Sequence, residues 1–243
     1  MKKHLSQYSF LISTLLIISF PTLSFGKVNS YVFSGINNSY PIHLKFDVTK
    51  NNDEAILKWF INSNKFKETN ITKISNGILT YCFQTSENNI DNEHFEWSIT
   101  LRDDKYDIYF KNKTYNEIFK TTIPSTKKIT TLQGLLYEMQ NKKLKIGTTF
   151  NANLLIPWKS VIPIKIKIEG KETIKVDNEK ILTYKVIVGI DSIVIGNLLP
   201  KSTLWITEKQ PHILVKQKSY NKSYDRITEE NLSDEIRSVL NIE

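Results

Sequence analysis

The chain is expected to be mainly β with one central helix: a curved antiparallel sheet or open barrel built from two meanders, with the helix packed on the concave side. Three observations predict this. Long stretches alternate apolar and polar residues with period two, short polar turns separate them, and one segment between 130 and 144 switches to helical spacing. Alternation marks strands with one wet face, which belong to antiparallel sheets, because parallel sheets are covered on both faces.

The first meander is expected over about 28–123. Ile42, Leu44, Phe46 and Val48 alternate with His43, Lys45 and Asp47. Phe95, Trp97, Ile99 and Leu101 alternate in the same way with His94, Glu96, Ser98 and Thr100. Asp103-Asp104 separates this strand from a run at 105–111, and Lys111-Asn112-Lys113 separates the next pair. Short polar turns between β-branched or aromatic runs are hairpin signals, and consecutive hairpins give a sheet whose order follows the chain.

A polar connector at 124–128 leads into the segment that breaks the pattern. Leu132, Leu135, Leu136 and Met139 fall at helical spacing, with Thr130 or Thr131 available as N-cap, Lys142, Lys143 and Lys145 near the end, and Gly147 just beyond. This predicts a helix over about 130–144 whose apolar stripe buries against the sheets. The second meander is expected over about 148–220, with Ile164, Ile166 and Ile168 opposing Lys165, Lys167 and Glu169, and a turn at Asp177-Asn178. A short C-terminal helix over about 229–240 follows from the caps and acidic first turns ahead of Ile236, Val239 and Leu240. No repeat relates the two meanders. A single domain over 27–243, in which one helix covers one curved sheet, accounts for the helix more economically than two domains.

At the N-terminus, Lys2, Lys3 and His4 precede an apolar run from Phe10 to Phe20, Pro21 interrupts it, and Ser24 and Gly26 stand at −3 and −1 of a cleavage point. That is the secretory signal pattern, so residues 1–26 are expected to be a signal peptide and the mature chain to be periplasmic or secreted. The apolar run is well short of the roughly 20 residues that span a bilayer, so no stable membrane span is expected after cleavage.

The formal charge is +8. A positive exported protein meets anionic envelope material readily, and an apolar or anionic envelope ligand is the partner expected. Nucleic acid is not expected, since export removes the target and the chain has three arginines against thirty lysines, the arginine fork being the commonest base reader. Lysine, isoleucine and asparagine together reflect a compositional bias of the kind an AT-rich genome produces, so single lysines carry little functional weight.

Chemistry is sparse. One cysteine, Cys82, excludes an intrachain disulfide and a four-cysteine zinc site, and its apolar strand reads as the setting of a buried structural thiol. His94 and Glu96 share a strand face, but two ligands do not make a metal site. No phosphate loop, nucleophile elbow, zinc-protease helix or dinucleotide fingerprint occurs. No catalytic residue, metal ligand or cofactor is therefore assigned, and the oligomeric state is left open. Apolar faces rich in aromatic residues either fill a core or line a cavity, and a strongly curved sheet creates such a cavity. Phe46, Trp97, Leu135, Met139, Tyr184 and Trp205 are the candidate ligand-binding residues.

The stretch Thr130-Thr131-Leu132-Gln133-Gly134-Leu135-Leu136-Tyr137-Glu138-Met139, followed by Lys145-Ile146-Gly147-Thr148-Thr149-Phe150, resembles a family of exported bacterial β-rich proteins of unknown function. Leu199 to Thr207, containing Trp205, with Pro211-His212-Ile213-Leu214-Val215-Lys216, is similar to that family's closing hairpin. The resemblance covers about 130–220 and implies structure, not catalysis. More distantly, the meander–helix–meander order resembles lipoprotein-carrier-like open barrels, which implies shelter for an acyl chain. The function expected is an exported cell-envelope protein that binds a lipid, lipid-linked molecule or envelope polymer without catalysis. The alternatives are a structural or protein-interaction module of the envelope, and an envelope hydrolase built around His94 or His212 with a distant carboxylate or serine.

Overall fold

A computed structural model describes residues 28–37, 40–89, 92–156, 160–192, 201–219 and 222–227. The expected signal peptide at 1–26 and the expected helix at 229–240 lie outside them. Eight antiparallel strands form the first meander: β1 (Val28–Asn37), β2 (Tyr40–Asn51), β3 (Glu54–Asn62), β4 (Phe66–Ser75), β5 (Ile78–Asn88), β6 (Glu93–Arg102), β7 (Lys105–Asn112) and β8 (Glu117–Pro124). The short β9 (Ile129–Thr130) and the helix α1 (Leu132–Asn141) follow. The second meander is β10 (Thr149–Ile156), β11 (Ser160–Val176), β12 (Glu179–Ile190), β13 (Ser202–Thr207), β14 (Leu214–Lys218) and β15 (Lys222–Ile227), curled into a half-barrel.

The hairpins form where turn chemistry allows. Asp103 and Asp104 both adopt positive φ, as do Asn76 and Gly77, the backbone of the two-residue turns that match strand twist. Within each meander every strand lies beside its chain neighbours, and the meanders join through antiparallel pairing of the first strand with the last, Phe33 facing Arg226. The spatial order therefore runs from β8 down to β1, then from β15 down to β9.

That order has a geometric consequence. Strands β8 and β9 stand at opposite ends of the sheet, yet only four residues, 125–128, connect them. A flat sheet of this many strands would be about 65 Å across, whereas so short a connector reaches no more than about 18 Å. The sheet must roll until its ends lie within that reach of each other. Two cores show the result. One unites β1–β4 with Leu135, Leu136 and Met139 of α1 and with Ile164, Ile166, Ile168, Val186, Leu204 and Leu214 of the second meander. The other packs Ile129 and Leu155, from β9 and β10, against Leu79, Cys82, Trp97, Ile99, Tyr106 and Ile108 of β5–β7.

The helix occupies the concave side, as its stripe requires. Thr131 is its N-cap, the hydroxyl accepting from Gly134 N at 3.1 Å. It ends at Asn141, earlier than the apolar spacing suggested, because Lys142 turns to extended backbone. Leu144, the expected end of the helix, is still buried in the core, but from the segment beyond the helix. The helix carbonyls at this end are met by the loop after β13: His212 N donates to Gln140 O and Gln210 Nε2 to Lys142 O.

Gly134 sits where the helix packs tightly against the sheet. A Cβ there would lie 2.6 Å from Thr130 Oγ1 and 3.7 Å from the Ile74 side chain. The Thr130 hydroxyl is buried and bonded to Thr131 O, so it has little room to yield. Gly134→Ala should lower the urea midpoint, with a packing cost of about 1–3 kcal/mol outweighing the helix-propensity gain of about 1 kcal/mol. A raised midpoint would show that the contact is loose.

Candidate functional site

The sequence-predicted ligand residues divide into three settings. Phe46, Leu135 and Met139 come together in the core between β1–β4 and the helix, each at most 2% exposed, with Phe46 edge-on to Trp59 at 5.7 Å between ring centres. Tyr184 is partly buried on the same core, its ring edge-on to His212 at 5.9 Å. Trp97 belongs to the second core, beside Cys82 and Ile99. Trp205 departs from all of them: its neighbours Leu204 and Ile206 enter the first core, and its own Nε1 donates to Glu172 Oε2 at 2.7 Å. That bond, helped by Lys185, holds the Glu172 carboxyl below the usual carboxylate range. A ligand reaching Phe46, Leu135 or Met139 would have to displace side chains of a packed interior.

A buried polar chain ties the helix to the sheet. Thr72 Oγ1 lies 3.5 Å from Thr131 Oγ1 and donates to Asn70 Oδ1 at 2.9 Å, while Asn70 Nδ2 donates to Gln84 Oε1 at 3.0 Å and to Cys82 Sγ at 3.3 Å. Asn70, Thr72 and Cys82 are fully enclosed. The donors satisfy one another where water cannot reach, so the cluster reads as a structural pin at the N-terminus of α1.

The histidines have structural company. His212 is buried, its Nδ1 donating to the Thr207 carbonyl at 2.8 Å. Beside His94, Glu96 is engaged by Lys113 at 2.8 Å. Among the described residues no group of three or more His, Cys, Asp or Glu is placed to hold a metal ion, and no helix is long and apolar enough to cross a membrane.

An open cleft of about 480 Å³ lies on the outward face of β6–β8. Register builds it: Ser98, Tyr109 and Lys120 face one another in one row across the three strands, and Thr100, Asp107 and Thr122 in the next. Arg102 completes the end of β6. Lys120 Nζ stands 5.8 Å from the centre of the Tyr109 ring. Arg102 and Lys120 form no ion pair among the described residues. Lys120 is two strands from β6 and four residues along from the level of Arg102, which separates the two Cα positions by about 16 Å.

Alternation had already put Ser98 and Thr100 on the polar face, but a polar face by itself is what every half-buried strand presents. The signal that separates this face is its content of hydroxyls, a tyrosine and one of the few arginines, where other wet faces carry lysine. No family model matches the chain, and no curated protein and no solved structure matches it either.

Burial pushes the Cys82 thiol up to about 11, against the smaller opposing effect of its hydrogen bonds from Thr72 and Asn70. Its folded pKa is raised, so its contribution to stability is complete below the unfolded value near 9 and is lost as pH rises towards about 11. Denaturation of wild type and Cys82→Ala at pH 8 and at pH 10.5 should therefore give stabilities that converge at the higher pH. A gap that is constant or widens would show that the thiol is not enclosed as described.

Proposed function

We propose that the chain is an exported envelope protein that binds an anionic, hydroxyl-rich polymer without catalysis, in the cleft on the outer face of β6–β8. The observation that carries this is the pair of cations without carboxylate partners, Arg102 and Lys120, set diagonally across a cleft lined by Ser98, Thr100, Tyr109 and Thr122. Two cationic side chains anchored at backbone positions about 16 Å apart suit an extended chain that carries acidic groups at intervals. The hydroxyls suit its polar edges, and the free side of the Tyr109 ring suits a sugar face. Asp107 adds an acceptor for ligand hydroxyls and discriminates against dense, closely spaced anionic charge. Of the ligands the sequence suggested, a polymer fits best, since the helix fills the concave side where an acyl chain would otherwise lie. The basic N-terminal region, apolar run and small residues before position 27 support export.

Titration of the mature chain with oligogalacturonate, with neutral dextran as control, tests the reading. Binding should occur to the acidic glycan only and weaken steeply with added salt. Arg102→Ala and Lys120→Ala should each weaken it about tenfold with unchanged thermal unfolding. Absence of acidic-glycan binding, or variants that bind as wild type, would contradict the assignment. So would preferential binding of phosphatidylglycerol vesicles, which would return the function to a lipid.

A further inference from the structure

The outer edge of β8 is unpaired among the described residues, since β8 stands at the end of the strand order. Nearly the whole strand is exposed, with Ile118 at 56% and Phe119 at 45%, and Tyr115 in the preceding turn at 64%. Unpaired edges of this length normally carry protection such as a bulge, an internal proline or several charges. Here Pro124 is the last residue and Lys120 the only central charge. The interior face of the edge is also unfinished. Phe119 faces Phe110, which faces Trp97, so an apolar row that is buried at β6 runs into solvent at β8.

We infer that this edge pairs with the same edge of a second copy of the chain, antiparallel, about a two-fold axis through Thr121. The register follows from symmetry and charge. An axis perpendicular to the sheet keeps each residue on its own face, so facing residues must share a face and the axis must pass through a residue position. An axis at Lys120 sets two lysines directly opposite each other, which is unfavourable. An axis at Phe119 leaves the last three residues of the strand facing the other copy's turn. An axis at Thr121 uses all of the strand but its first residue: Phe119 meets Ile123 of the second copy on the interior face, and Lys120 meets Thr122 on the outer face.

Like charges are then separated, and the exposed aromatic row gains an apolar partner. Lys120 and Thr122 also line the cleft, so the pairing sets the two clefts side by side as one continuous groove with two-fold symmetry. The pairing itself does not depend on what the cleft binds.

Sedimentation over a range of concentrations should show a monomer–dimer equilibrium. Thr121→Cys should cross-link two copies under mild oxidation, because position 121 faces itself across the axis, while Ile118→Cys, which faces Pro124, should not. Cys82 is buried and does not compete. Thr121→Lys sets like charges opposite each other and should shift the population to monomer while the circular dichroism spectrum is preserved. A chain that stays monomeric at all concentrations overturns the inference. Cross-linking through position 118 but not 121, or a dimer that survives Thr121→Lys, does so equally.

Discussion

The connection between β8 and β9 is the constraint on which the rest depends. Four residues join strands at opposite ends of the sheet order, and a chain of that length tolerates only a rolled sheet. Once the sheet has rolled, the helix that begins directly after β9 is enclosed and its apolar stripe is buried. The β1–β15 pairing then closes the other side of the roll, with Val32 to Asn37 facing Ile227 to Lys222. Hydrophobic burial supplies the driving force and selects the inward face, while the connector requires the sheet to roll.

The polar pin shows how the enclosed helix is fixed in place. Apolar contact alone would let a helix slide along a smooth sheet face, because dispersion is not directional. Thr131 ends the slide at one end, by capping the helix while touching Thr72, and the loop after β13 closes the other end through Gln140 and Lys142. Gly134 lets the two surfaces approach. A packed and pinned interior is what turns the proposed function to the outward face of β6–β8, where Arg102 and Lys120 stand among hydroxyls.

Much of this architecture was legible in the sequence, and the reasons are local. The alternation at 42–48, 95–101 and 164–168 directly reports which residues face inward, and Asp103-Asp104 and Asp177-Asn178 are the turns their chemistry demands. The helix was legible from Leu132 to Met139 and overextended at Leu144, where burial continues after the helical backbone stops. Closure was not legible, because β1 and β15 are almost the whole described chain apart and nothing in either strand names its partner. Asn70 and Thr72 hide as polar residues on an interior face. The candidate ligand residues were chosen for being aromatic or apolar, a criterion that core packing satisfies equally well, so it collected Phe46, Leu135 and Met139. The cleft residues escaped because their identity as a group exists only through register across three strands.

The roll is tested most directly by a distance between its two ends. Spin labels at Thr122 on β8 and Asn151 on β10 occupy exposed positions, and the native Cys82 is enclosed. The connector and the pairing of β9 with β10 place the two sites within about 35 Å of each other, whereas an open sheet with the same strand order places them about 60 Å apart. A pulsed electron-electron resonance distance below the first value is the result expected, and one near the second would contradict the rolled sheet and the buried helix together.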